Sequence, residues 1–177
     1  MQFAGEYMTK ETLKSNISLI GMPSCGKSTI GVILAKTLLL SFIDTDLLIQ
    51  EKHNKLLSEI IQYEGIEGFI EKESNVISSL FCSQTCIATG GSAVYSKKAM
   101  EHLKRISTVF FIDVPFREIE KRISNIKTRG VVIDSNKSLI DIYHERYPLY
   151  KKYADVIINA DKKKIEEIVT EIKGAFS

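Results

Sequence analysis

The segment Gly21-Met-Pro-Ser-Cys-Gly26-Lys27-Ser28 has the spacing G-x-x-x-x-G-K-[ST] of a loop that cradles phosphates. Glycines at its ends let the backbone curl so that successive N–H groups converge on an anion, and the helix that must follow adds about half a positive charge at its N-terminus. A triphosphate is the guest that suits such a nest. Gly21, Ser24, Cys25, Gly26 and Thr29 are the expected loop contacts, Lys27 supplies a point charge for the β- and γ-phosphates, and the Ser28 hydroxyl is placed to ligate Mg²⁺. The plain alternative is a glycine-containing strand-to-helix turn with an accidental lysine. Cys25 reads either as a small filler inside the loop or as a thiol acidified by the helix and by Lys27.

A second chemical signal follows at Phe42-Ile43-Asp44-Thr45-Asp46, where two carboxylates are separated by one residue. Residues i and i+2 of an extended chain share a face, so Asp44 can help position a metal while Asp46 reaches over the γ-phosphate to orient an acceptor hydroxyl. A strand-end aspartate followed by a helix-capping aspartate is the competing reading. Asp113, closing the run Val109-Phe-Phe-Ile-Asp, sits where a strand-end aspartate can hold Mg²⁺, although Pro115 two residues on also fits a simple turn.

These residues need a scaffold that presents strand ends on one edge, and the hydropathy pattern supplies it. Short β-branched runs (Ile17 to Ile20, Phe42 to Asp44, Cys86 to Ala88, Val109 to Ile112, Val156 to Ile158) alternate with longer amphipathic stretches. Helices are expected at about Lys27 to Leu40, Asp46 to Asn54, Gly68 to Phe81, Lys97 to Lys104, Pro115 to Ile126, Leu139 to Tyr153 and Lys162 to Phe176. Such alternation predicts an α/β fold with a parallel sheet, whose ligands bind at the carboxyl ends of the strands. At 177 residues, 44% hydrophobic and 26% charged, the chain is expected to form one domain. Its 24 basic and 22 acidic side chains leave a formal +2, so neither a nucleic-acid footprint nor a polybasic membrane anchor is expected. Three cysteines without disulfide or zinc spacing suit a reducing, cytoplasmic setting. Met1 to Asn16 lacks an apolar core for targeting, and the greasiest stretch, Ile30 to Ile43, is interrupted by Lys36, so no membrane span is expected.

Taken in order, G-M-P-S-C-G-K-S-T-I-G at Gly21 to Gly31, F-I-D-T-D at Phe42 to Asp46, G-F-I-E-K-E at Gly68 to Glu73, A-T-G-G-S-A-V at Ala88 to Val94, F-F-I-D-V-P at Phe110 to Pro115 and E-R-Y-P-L-Y-K-K-Y-A-D-V-I at Glu145 to Ile157 resemble the shikimate kinases, within the phosphate-loop fold of nucleoside monophosphate kinases. The resemblance runs from about Ile17 to Ala160. It implies a three-layer α/β/α fold with a five-stranded parallel sheet, a substrate subdomain near residues 45–73 and a mobile lid near 124–136. It further implies ATP as phosphate donor with Mg²⁺, a small hydroxylated substrate and a monomer. By the same analogy Asp44 and Ser28 would serve the metal, and Asp46 would hold the reacting hydroxyl. Gly90, Gly91 and Ser92 would border the substrate, Arg146 would grip its carboxylate, and Arg129 would be the catalytic lid arginine that reaches ATP.

The departures are local. Ile70 follows Phe69 where the family carries an arginine that shares the substrate carboxylate, Ser92 replaces a third glycine, and Gly130 with Val131-Val132-Ile133 replaces a proline-leucine run after the lid arginine. Lys72 stands two positions from Ile70, near the opposite helix face, and does not replace the missing cation. Glu73 lies three positions on and shares the face of Ile70, so it is expected beside the same pocket. If both face it, an apolar wall and an unpaired acid would favour an amine-bearing hydroxylated acceptor over shikimate. The leading expectation is nonetheless transfer of phosphate from ATP to a hydroxyl of shikimate. A non-catalytic nucleotide-binding switch is the alternative from another class, and the acceptor-orienting Asp46 speaks against it.

Overall fold

A computed structural model describes residues 14–124 and 137–176. Five parallel strands, β1 (Asn16–Ile20), β2 (Ser41–Asp44), β3 (Thr85–Ala88), β4 (Ser107–Asp113) and β5 (Val156–Asn159), form one sheet in the order β2-β3-β1-β4-β5. Among the described residues the helices are α1 (Lys27–Leu38), α2 (Thr45–His53), α3 (Leu57–Ser78), α4 (Lys97–Ile106), α5 (Phe116–Ser124), α6 (Leu139–Tyr153) and α7 (Ile165–Phe176), with a short 3₁₀ turn at Ala93–Tyr95. None of these helices is long and apolar enough to cross a membrane.

The central strand explains the order. Every residue of β1 is buried, as a strand covered on both faces by crossover helices must be. Its two polar side chains are satisfied: Asn16 Nδ2 donates to Cys82 O and Ile106 O, each at 2.9 Å, and Ser18 Oγ lies 2.6 Å from Ser107 Oγ. Registers Asp44↔Ala88, Leu19↔Ala88 and Leu19↔Phe110 then bring the ends of β2, β3, β1 and β4 to one edge. Two apolar cores result. The larger packs α1, α4, α6 and α7 on the sheet, through residues such as Leu19, Leu34, Leu103, Phe110, Tyr150 and Ile172. A smaller one holds Ile49, Ile60, Phe69 and Val76 between α2 and α3.

The expected strands lie inside the observed ones, and the helices agree to within a few residues except at α3, the expected end of α5 at Ile126 lying outside the described residues. That helix begins at Leu57, where sequence patterning starts it at Gly68, and it is interrupted at Gly65, whose φ of 72° is left-handed. Phe81, expected to be helical, lies beyond Ser78 and is fully exposed.

Candidate active site

The phosphate end is built from one turn. Gly21 (φ 145°) leaves β1 and Gly26 (φ 101°) caps α1, conformations that L side chains rarely adopt. A Cβ on Gly21 would lie 2.8 Å from Ile112 O, so the turn also hugs β4. Lys27, at the first position of α1, is buried and folds under the loop, its Nζ donating to Gly21 O (2.8 Å) and Met22 O (2.9 Å). Ser24, Gly26, Lys27, Ser28 and Thr29 all line a cavity at the strand edge. Cys25 packs as the small filler: its side chain is buried in the sheet core with its Sγ 3.6 Å from Lys27 Nζ.

Of the two aspartates it is Asp44, not Asp46, that caps the helix. Asp44 Oδ1 accepts from the Asp46 backbone N–H at 3.0 Å and caps α2, while Oδ2 accepts from Ser28 Oγ at 2.7 Å. Among the described residues no group of three or more His, Cys, Asp or Glu gathers as a metal centre. The Ser28–Asp44 oxygen pair still fits Mg²⁺, which takes one or two protein oxygens and completes its shell with water and phosphate.

The acceptor end gathers side chains from distant segments. Asp46, Leu57, Phe69, Thr89, Gly90, Gly91, Ser92 and Arg146 line the same cavity as the phosphate loop. Burial, then the neighbouring Asp44 charge, pushes the Asp46 carboxyl up to about 6, against the pull of Lys27. A methyl placed on Gly90 would stand 2.2 Å from Glu73 Oε1 and 2.8 Å from Asp46 Oδ1, so both carboxyl groups press on one face of that glycine. The Gly90 N–H donates to Thr45 Oγ1 at 3.2 Å. Gly91 is held on three sides: its carbonyl accepts from Tyr150 Oη at 2.6 Å, and a Cβ there would meet Pro23 Cδ at 2.7 Å and an Arg146 nitrogen at 3.1 Å. Arg146 is 2% exposed, and its Nε donates to Tyr95 Oη at 3.1 Å.

Glu73 is not at the surface, and of its two buried oxygens Oε1 has no hydrogen-bond partner among the described residues. It is fully buried, Oε2 accepts from Ser92 Oγ at 2.6 Å, and burial pushes its carboxyl up to about 8 despite that hydrogen bond. Ser92, the departure from a third glycine, is therefore the partner of Glu73. Ile70 turns to a neighbouring cavity, which it lines with Ile66, Tyr95 and Arg146. Lys72 pairs with Glu64 at 3.0 Å, as its helix position predicts. Asp113 is outside the cavity lining and its Oδ2 accepts from Tyr147 Oη at 3.1 Å. Arg129 and nearly all of the expected lid, residues 125–136, lie outside the described residues. Thr45, Tyr95 and Tyr150 were missed from sequence; only Tyr150 carried a signal, standing one helical turn from Arg146 on the same face.

The shikimate kinase family profile matches residues 23–176. The chain belongs to the shikimate kinase family. A shikimate kinase of Clostridium botulinum (strain Eklund 17B / Type B) is 42% identical over 164 residues, covering 91% of this chain and 96% of that protein. One of Staphylococcus haemolyticus is 38% identical over 159 residues, covering 89% and 92%. Among solved structures, the shikimate kinase of Acinetobacter baumannii in complex with shikimate superposes with a TM-score of 0.83 at 29% identity, covering 93% of each chain. That of Aquifex aeolicus gives 0.76 at 29% identity, covering 90% of this chain and 95% of that one.

Proposed function

We propose that this shikimate kinase family member transfers the γ-phosphoryl group of ATP to a hydroxyl of shikimate, giving shikimate 3-phosphate and ADP. The observation that carries the reading is one cavity lined by Lys27, Asp46 and Arg146: a phosphate-binding cation, a carboxylate of raised pKa and a buried guanidinium. Arg146 holds the acceptor's carboxylate and Gly91 backs it. Asp46, ionised above about pH 6, accepts the hydrogen bond of the reacting hydroxyl. As the hydroxyl oxygen bonds to the γ-phosphorus, the bond to the β-bridging oxygen breaks, ADP leaves and the hydroxyl proton passes to Asp46. Lys27 and the loop N–H groups steady the charge that spreads over the transferring oxygens. Mg²⁺, held by Ser28 Oγ and Asp44, would neutralise the β- and γ-phosphates.

An amine-bearing acceptor is not supported. It rested on an unpaired acid facing the acceptor at Glu73, whereas that carboxyl is buried, accepts from Ser92 Oγ and is pushed up to about 8 by burial. The unit of α2 and α3, covering the expected subdomain at 45–73, presents Asp46 and Phe69 to the acceptor on its own small core. The test is ADP release by the purified protein with Mg²⁺ and ATP, with and without shikimate, and phosphorus NMR of the product. Shikimate-dependent turnover and a new phosphomonoester are expected; equal ADP release in both arms overturns the reading.

A further inference from the structure

Arg146 lines two cavities. One is the reaction cavity, and the other, of about 230 Å³, has Ile66, Ile70 and Ile142 as apolar walls with Tyr95, Lys137 and Glu145 around them. The guanidinium faces both: a nitrogen approaches Gly91 on one side, while Nε donates to Tyr95 Oη and the guanidinium carbon lies 5.0 Å from the Tyr95 ring centre on the other. A carboxylate seated on Arg146 therefore has the second cavity open beside it. The α3 wall of that cavity offers no cation, because Ile66 and Ile70 are apolar and Lys72 pairs with Glu64.

A cation does come from another direction. Lys137 stands immediately before the α6 cap Ser138, and its Nζ reaches Glu145 Oε2 at 2.5 Å, one residue from Arg146. Both partners are well exposed, at 43% and 39%, and an ion pair this wet holds its members only weakly. Glu145 keeps other stabilising neighbours when the lysine leaves, since a hydrogen bond from Tyr95 and the charge of Arg146 also hold its carboxyl below the usual range.

We propose that Lys137 is the second cation of the acceptor site: it exchanges Glu145 for the acceptor's carboxylate and grips it together with Arg146, doing from the start of α6 what Ile70 cannot do from α3. The inference rests on the reading of the acceptor as shikimate, a carboxylate. Ile70 and Ile66 then exclude water from the shared ion cluster, and the site selects anionic acceptors through a residue outside the family motifs.

Lys137→Met tests it, with Lys137→Arg beside it. In Lys137→Met the KM for shikimate should rise about tenfold or more, the loss expected for one charge-assisted hydrogen bond, while kcat and the KM for ATP stay within about twofold. Lys137→Arg should recover most of the difference. With the uncharged methyl ester of shikimate as acceptor, parent and Lys137→Met should be equally poor. A KM for shikimate that changes less than twofold, or an equal loss with the ester, overturns the proposal. A parent that turns over no shikimate at all overturns the functional reading and this inference with it, whereas a normal parent with an indifferent Lys137→Met removes the inference alone. Lys137 is exposed, and an unchanged Tm verifies that the variants are folded.

Discussion

At the phosphate end a single unbroken segment, Gly21 to Thr29, supplies the loop, its lysine and the hydroxyl that meets Asp44, and the sheet beneath it belongs to the large core. At the acceptor end Asp46, Phe69, Gly90 and Arg146 arrive from α2, α3, the turn after β3 and α6, and the α2–α3 unit has its own small core of Ile49, Ile60, Phe69 and Val76. The first is specified by backbone geometry within one turn, the second by side chains that meet only when the chain is folded. Nucleotide recognition should therefore survive damage that removes acceptor recognition.

The largest effect should come from Lys27→Met. Removing a charge aimed at the transferring phosphoryl group typically costs about 100- to 1,000-fold in kcat. Circular dichroism should show an unchanged fold, because the sheet core does not depend on the ammonium. Residual transfer above about a tenth of the parent rate would show that the loop N–H groups and metal suffice, erasing the chemical distinction between the two ends.

Asp46→Asn should lower kcat about 100-fold or more while a nonhydrolysable ATP analogue binds within about twofold. The parent should also show an acid limb. Asp46 works as a base only when ionised, and its carboxyl is raised to about 6, so kcat/KM should fall as the pH drops below that value. The limb should vanish from the residual activity of Asp46→Asn. An unchanged limb would assign the titration to another group.

Phe69→Ala attacks the small core directly. Truncating a fully buried phenylalanine costs about 3–5 kcal/mol, and here the loss falls on the α2–α3 unit. The KM for shikimate should rise well beyond that for ATP, alongside a lower Tm; equal increases in both would mean that the two ends are not separately supported.

The smallest effect is on stability. The buried Glu73 carboxyl is raised from 4.5 to about 8, so the folded state keeps a proton that the unfolded chain releases. Its contribution is complete below pH 4.5 and declines as the pH rises toward 8, and the parent Tm should fall over that window by roughly several degrees. Glu73→Gln keeps an acceptor for Ser92 Oγ and should flatten the decline, which calorimetry across the pH range would detect. Parallel Tm curves for parent and variant would show that Glu73 is ionised at neutral pH after all.

The same contrast explains what the sequence disclosed. The phosphate loop, the aspartate pair and all five strands were legible because each is a local pattern of a few residues with a fixed period or spacing. The first half of α3 was not, since its pattern gave no helix before Gly68, and the helix is interrupted at Gly65. Nor was the place of Ile70 and Glu73. Helical spacing put them on one face, but the packing of Gly90 and Ser92 against α3 sends Glu73 beneath the reaction cavity and leaves Ile70 facing its neighbour. Tyr95 was invisible because its partner, Arg146, is remote in sequence.

Gly65 also marks where this enzyme can be re-engineered. The position is exposed, its backbone has already left helical geometry, and nothing stands within 4 Å of where its Cβ would be. A short glycine-serine insertion there would lengthen the chain without breaking a helical turn or entering either core. The break is thus a natural splice point for a reporter loop or a split-protein junction, within the α2–α3 unit yet outside the lining of the cavity it serves.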